Sequence, residues 1–244
     1  MHTNGNTILI TGATSGIGLA FAGAFYKEKN TVIICGRRID RLNALAQKYP
    51  GMITRACDVS NDDERKSLAE WVIREHPEVN VLFNNAGVQY AFDLKHETDL
   101  KKLKEEIGAN LTAPIHLSSL FANHFMKKDH AAICNISSGL AFVPLSFMPV
   151  YCATKAAIHS FTMSLRFQLK DTTVSVFEII PPPVDTELGH DRRADKSQTH
   201  GGIPAEEFIT EAMEAIRNDI YEYAVGVAKN LREKNEQMFY VLNK

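Results

Sequence analysis

Seven short, β-branched apolar runs alternate along this chain with stretches long enough to be helices, and that alternation restricts the fold more than any other feature. The runs are TILIT (7–11), TVIICG (31–36), MITRACDV (52–59), NVLFNNAG (80–87), AAICNIS (131–137), TVSVFEII (173–180) and EYAVGV (222–227). Between them the sequence reads as helix over 17–29, 40–48, 61–76, two stretches ending near Lys128, a stretch carrying Tyr151, and 204–218. Connections of that length join parallel strands by right-handed crossovers. Strands that are apolar without alternation fit a sheet covered on both faces. The expected class is α/β, doubly wound, with a seven-stranded, mostly parallel sheet and helices on both sides. No repeat, low-complexity tract or linker divides the 244 residues, so one domain spanning 1–244 is expected.

The segment from Ala131 to Thr154 carries no charged residue, which is long enough to cross a bilayer. Asn135, Ser137, Ser138, Gly139, Pro144 and Pro149 break it into a strand, a polar turn and a helix start. It reads as buried protein, with no membrane partner. The net charge of -2 offers no basic field for nucleic acid. Cys35, Cys57, Cys134 and Cys152 lack paired spacing and sit in or beside apolar runs, as free core thiols of a reducing, cytoplasmic compartment do. The nine histidines show no metal-ligand spacing, so no metal is expected. The N-terminal MHTNGNTILI has no basic stretch followed by a long apolar one, so no signal peptide is expected.

The first run leads directly into TGATSGIG, with Gly12, Thr14, Ser15, Gly16, Ile17 and Gly18 at the strand-to-helix turn. Glycines there allow a tight turn and close backbone approach, and the helix then begins with free N–H groups aimed at an anion. At the end of the second run, where dinucleotide folds that prefer NAD place a carboxylate for the ribose, this chain has Gly36, Arg37 and Arg38. Guanidinium groups bind a 2′-phosphate in a fork that a carboxylate would repel. The expected cofactor is NADP(H) in preference to NAD(H).

Tyr151 and Lys155 lie four apart in VYCATKAAIHSF, on one helix face and with apolar flanks. A free phenol, with a pKa of about 10, is a poor acid–base group at neutral pH. An ammonium about 4 Å away favours the phenolate by roughly 4 kcal/mol at an effective dielectric near 20, or about three pKa units. Such a pair can move a proton to or from a carbonyl or alcohol oxygen.

In their order these motifs resemble the short-chain dehydrogenase/reductase family, and the likeness covers essentially the whole chain. TGATSGIG, CDV, NNAG (84–87), Asn110, Ser138 and Tyr-x-x-x-Lys at 151 and 155 carry it. SGLAFVPL, PVYCATKAAIHSF and PPPVDT are similar to its bacterial DltE-like branch, which supplies no substrate. The resemblance implies a Rossmann-like fold and a catalytic tetrad of Asn110, Ser138, Tyr151 and Lys155. It implies that Asp58 and Val59 border the adenine and that Asn84, Asn85, Ala86 and Gly87 line the cofactor cleft. It further implies that Pro181, Val184 and Thr186 border the nicotinamide, and that Tyr151 and Lys155 also face the cofactor, Lys155 reaching its ribose. Ser138, thirteen residues before Tyr151, would hold the substrate oxygen; Ser137 is the neighbouring alternative, and the family spacing selects Ser138. The amide of Asn110 would hold a water joining Lys155 to solvent. A homodimer or homotetramer acting on a small carbonyl or alcohol substrate is expected.

One departure is Pro181-Pro182-Pro183, with Pro182 where the family commonly has glycine. Consecutive prolines fix φ near -65° and lack N–H groups, so the segment should be stiff. A polar stretch follows, expected as a substrate lid over 187–203, with His190, Arg192, Arg193, Lys196 and His200 available to an anionic group. Leu140, Phe142, Phe147, Met148 and Leu188 are candidate pocket residues and point to a partly apolar substrate. The C-terminal MFYVLN (238–243) is more apolar than a free tail requires, and is expected to pack on the domain or on another subunit. The alternative to an enzyme is a non-catalytic NADP(H)-binding regulator or scaffold, which would have no use for Tyr151 beside Lys155.

Overall fold

The computed structural model describes residues 1–189 and 201–244. Its sheet has seven strands, β1 (Thr7–Thr11), β2 (Thr31–Gly36), β3 (Ile53–Ala56), β4 (Val79–Asn84), β5 (Ala131–Ile136), β6 (Val174–Ile180) and β7 (Glu222–Ala224). The spatial order is β3-β2-β1-β4-β5-β6-β7 and every pairing is parallel. The winding therefore reverses between β1 and β4, and the crevice beyond their carboxyl ends is where a doubly wound sheet binds its ligand.

Each face of the sheet carries its own core. Helices α1 (Gly16–Lys27), α2 (Ile39–Lys48) and α7 (Ala205–Arg217) cover one face, where Phe21 and Phe25 close on Phe83 at 4.9 and 5.2 Å between ring centroids. Helices α3 (Asp62–Glu75), α5 (Ala113–Phe125) and α6 (Pro149–Gln168) cover the other, around Leu9, Leu82, Phe121 and Ile133. Truncating one of these buried phenylalanines to alanine costs about 3–5 kcal/mol in a typical core. Two short helices, α8 (Ala228–Lys234) and α9 (Phe239–Leu242), end the chain, and α4 (Leu100–Ile107) precedes α5.

Several strands are shorter than the sequence suggests, and the shortfall builds the crevice. β3 ends at Ala56, so Cys57–Val59 leave the sheet; β4 ends at Asn84, so Asn85–Gly87 do the same. β7 ends at Ala224, and the chain turns at Gly226, whose φ is 53°. Between α4 and α5 the backbone makes a π-helical turn, Gly108–Thr112, which the periodicity does not announce. The apolar segment 131–154 is β5, a loop and the start of α6, and no helix among the described residues is long and apolar enough to cross a membrane. All four cysteines are buried and unbridged.

The C-terminal stretch packs in part on its own chain. The Asn243 amide donates to Pro144 O and accepts from Ser146 N–H, while Tyr240 and Val241 face outward.

Candidate active site

The glycine turn is shaped by what it must approach. Gly12 has φ of 66°, and a Cβ there would lie 2.6 Å from Ala86 Cα; a Cβ on Gly18 would lie 2.3 Å from Asn85 Nδ2. Both distances are too short for any side chain, so the turn after β1 and the segment after β4 are pressed together across the switch point. Thr11 Oγ1 accepts from the N–H groups of Asn85 and Ala86, fixing that contact. Helix α1 starts with no acidic side chain in its first turn, and Ser15 makes no capping bond to it. Its N-terminal N–H groups and the positive end of its dipole therefore face the crevice.

That crevice has a volume of about 570 Å³ and runs from Arg38 to Tyr151. Gly12, Thr14, Ser15, Gly16, Ile17, Gly18, Arg37, Arg38, Asp58, Val59, Asn85, Ala86, Gly87, Tyr151, Lys155, Pro181 and Thr186 all line it. Val184 does not; it is buried and forms a parallel bridge with Ile203. Asn84 does not either. Its amide is buried and donates to Asn135 Oδ1 and Ser118 Oγ, so it belongs to the core. A larger hollow of about 1060 Å³ opens between α1 and α7 and shares Thr14, Ser15 and Thr186, but it lacks Tyr151 and Lys155.

The two arginines separate. Arg37 turns to Glu105, with Asp58 at 3.9 Å. Arg38 turns to the glycine loop and donates to Thr14 Oγ1 and Ser15 Oγ, both at 2.7 Å, and to Glu187 at 2.7 Å. Arg41 reaches the same Glu187 carboxylate at 2.8 Å. Arg38, rather than the pair, thus faces the glycine turn. The loop bearing Asp58 and Val59 is held from behind by Arg65, a buried residue that the sequence reading passed over, whose Nη1 donates to Val59 O at 2.5 Å.

At the other end, Tyr151 and Lys155 share one face of α6 and are both buried. Lys155 Nζ lies 5.7 Å from the Tyr151 ring centroid and donates to Ile136 O at 2.8 Å. Burial holds the ammonium below its ordinary range, at a pKa of about 8, against the opposing pull of Glu178 and Glu106. Asn110 occupies the π-turn, a form frequent at functional sites. Its amide is already engaged: Oδ1 accepts from Val88 N–H, and Nδ2 donates to Val88 O and Thr154 Oγ1. It therefore ties the chain after β4 to α6. Ser138 Oγ accepts from Leu140 N–H at 3.1 Å, which leaves its own proton to donate. Ser138 is not among the residues lining the 570 Å³ crevice, whereas Ser137 is, and the buried Ser137 hydroxyl has no hydrogen-bond partner among the described residues.

Of the candidate pocket residues, Leu188 lines the crevice and Leu140 and Met148 pack beside Tyr151. Phe142 does not join them. Its ring meets that of His159 edge-on at 4.8 Å and lies under Arg232 at 4.7 Å, about two turns along α6 from Tyr151. Phe147 is half exposed. The proline run has its carbonyls in use: Pro181 O accepts from Gly139 N–H and Pro183 O from Ile203 N–H, both at 3.0 Å. His190, Arg192, Arg193, Lys196 and His200 lie outside the described residues.

A seven-stranded parallel sheet with a glycine turn at the switch point and a Tyr-x-x-x-Lys pair below it defines a nicotinamide-type oxidoreductase fold, and residues 6–197 match the short chain dehydrogenase family model. The chain belongs to that family. It is 44% identical to an uncharacterized oxidoreductase, DltE, from Bacillus subtilis (strain 168), over 96% of this chain and 93% of the relative. Among solved structures, a short-chain dehydrogenase from Sphingobium yanoikuyae in complex with NADPH superposes with a TM-score of 0.83 at 26% identity, covering 93% of this chain and 91% of that one. A short chain dehydrogenase/reductase from Burkholderia phymatum in complex with NAD shares the fold, with a TM-score of 0.86 at 22% identity, covering 100% of this chain and 97% of that one.

Proposed function

We propose that the chain is an NADPH-preferring carbonyl reductase or alcohol dehydrogenase acting on a small, partly apolar substrate, with Tyr151 as its general acid and base. The single observation that carries this reading is the burial of Tyr151 and Lys155 together on one face of α6, against the crevice at the switch point. A binding protein gains nothing from a buried ammonium beside a phenol, since burying that charge is costly.

The crevice fits a nicotinamide dinucleotide on its own features. Gly12 and Gly18 leave room that a side chain would fill, α1 offers an uncompensated N-terminus, and Arg38 supplies the cation for a 2′-phosphate. Gly16 and Ile17 would hold the pyrophosphate, Asp58 and Val59 the adenine side, and Ala86, Pro181 and Thr186 the nicotinamide side. The cofactor, when bound, supplies or accepts the hydride. Tyr151 delivers its proton to the substrate oxygen on reduction and takes one on oxidation. Lys155 stabilises the resulting phenolate, and the Ser138 hydroxyl orients the substrate oxygen beside Tyr151. Arg38 favours NADPH, as does the NADPH-bound likeness; the NAD-bound one shows that the fold itself decides nothing.

The same reading takes 1–244 as one catalytic domain with 187–203 as a substrate cover, working in the cytoplasm. We also propose a homo-oligomer. Met163 and Phe167 lie four apart on α6 and Ile115 lies on α5; the three are 51%, 70% and 38% exposed. A panel of ketones and aldehydes assayed with NADPH and NADH by loss of nicotinamide absorbance tests the function. Turnover with NADPH on at least one member supports it, and absence of turnover with either cofactor across a broad panel defeats it.

A further inference from the structure

Behind Lys155 the sheet carries a row of polar side chains in an otherwise apolar layer. Asn84, Asn135 and Glu178 are neighbours in register across β4, β5 and β6, and all three are buried. Asn84 donates to Asn135 Oδ1 and Asn135 donates to Thr162 Oγ1 of α6, while Asn84 Oδ1 has no hydrogen-bond partner among the described residues. Glu178 differs from both in carrying a charge. It is fully buried, one carboxylate oxygen meets His159 Nδ1 at 2.9 Å, and the other has no hydrogen-bond partner among the described residues.

Its neighbours lead back to the phenol. Tyr151, Lys155 and His159 follow one another at intervals of four on α6, so they form one stripe along the helix. Lys155 is anchored on Ile136 O, and Ile136 and Asn135 pair in register with Ile179 and Glu178. Glu178 therefore lies under the stripe between Lys155 and His159. Glu106 of α4, also fully buried, pulls on the same lysine. One ammonium against two carboxylates leaves a net negative charge among buried groups. His159 cancels that charge when protonated, and contact with Glu178 raises its pKa. The other charges around His159 are Glu222 of β7 and Arg232 of α8, which pair with each other at 2.8 Å.

We propose that Glu178 is a positioning residue for the Tyr151–Lys155 pair: it keeps the lysine charged in its buried site, and His159 holds the carboxylate in place for that task. This rests on the catalytic reading of Tyr151 and Lys155 for its functional meaning, but its electrostatic claim can be measured without turnover. The largest opposite charge acting on the buried Lys155 ammonium is that of Glu178. Glutamine at 178 keeps the shape and removes the charge.

The test is the titration of Lys155, followed by its ¹³Cε chemical shift in the cofactor-free protein, with the signal assigned from Lys155→Met. In Glu178→Gln the Lys155 midpoint should fall by about one pH unit or more, the size of effect that one nearby opposite charge exerts. An unchanged midpoint overturns the proposal. Glu178→Asp covers the case in which the glutamine variant fails to fold. It retains the charge but is too short for His159, so the His159 midpoint should drop toward about 6.5 while Lys155 moves by less than about half a unit. A fall at Lys155 with His159 unmoved overturns the proposal. If Lys155 responds as expected but Tyr151→Phe turns over normally, Glu178 still acts on the lysine and it is the catalytic reading that fails.

Discussion

Glu187 and Glu178 each face a cation of the cofactor crevice, and water separates their behaviour. Glu187 sits between Arg38 and Arg41 with its side chain 40% exposed, as is that of Arg38. Glu178 stands behind Lys155 with no exposure at all. An exposed pair contributes about 0–1 kcal/mol, because solvent competes for both partners. Removing one partner of a buried pair costs about 3–5 kcal/mol, because the survivor keeps its desolvation penalty. The exposed cluster is thus an exchangeable seat, in which a carboxylate can give way to a phosphate at little cost. The buried cluster is set at folding and is ready before any substrate arrives.

The sharpest way to break this contrast is at the phenol. Tyr151→Phe should lower turnover by about a hundred- to ten-thousand-fold, the usual loss on removing a positioned proton donor, with NADPH affinity within about twofold of wild type by fluorescence titration. Retained turnover on a confirmed substrate would mean that the buried end is not the chemical end.

Arg38 tests the exposed end. Charge-assisted hydrogen bonds contribute about 1.5–3 kcal/mol, so Arg38→Ala should weaken NADPH binding by about ten- to a hundred-fold and leave NADH nearly unchanged. Arg37→Ala should do less, since Arg37 is turned to Glu105. Equal losses for the two cofactors would remove Arg38 from the 2′-phosphate site.

A pH profile compares the two ends in one experiment. Lys155 is held down by burial to a pKa of about 8, so its positive charge is present below that pH and lost above it. Carbonyl reduction should therefore decline by about tenfold per pH unit above pH 8, following a single deprotonation. A rate that holds level to pH 10 would show that the ammonium is not required. The exposed end should contribute nothing to this limb, because arginine stays protonated throughout.

The smallest effect is expected at Glu187. Glu187→Gln should tighten NADPH by about two- to fivefold at low salt by removing a competitor for Arg38, with the gain shrinking as salt screens the site. Weaker binding in this variant would show that the carboxylate helps the cofactor rather than yielding to it.

How much of this the sequence disclosed depends on how far apart the partners lie along the chain. The glycine turn and the Tyr-x-x-x-Lys pair are local, because spacing alone places those residues on one turn or one helix face. Arg37 and Arg38 look interchangeable in sequence, and only Glu105 and Glu187, 68 and 149 residues away, pull them apart. Asn84 and Asn85 are adjacent, but the last residue of a strand points into the layer and the next one leaves it. The π-turn at Gly108–Thr112 has no periodic signature. Glu178 did leave a trace, as the one charged residue in the apolar run TVSVFEII, and a carboxylate at such a place needs a cationic partner. Arg65 left none, since its helix carries charges at many positions.

The bridge between Val184 and Ile203 has a consequence for sequence change. Two backbone bonds fasten the ends, Ile203 N–H to Pro183 O and Asp185 N–H to Ile203 O. With the chain anchored at Pro183–Asp185 and again at Ile203, and the prolines fixed in φ, the length of chain between the two anchors hardly enters the stability of the sheet. Doubling such a loop costs only about 0.6 kcal/mol in closure entropy. Insertions beyond Gly189 should therefore leave the sheet and the Tyr151–Lys155 pair in place, whereas Thr186, Glu187 and Leu188, just past the first anchor, line the crevice and are not free to change without altering it. If this stretch is the substrate cover proposed above, its length can change at little cost to the fold that holds Tyr151 and Lys155.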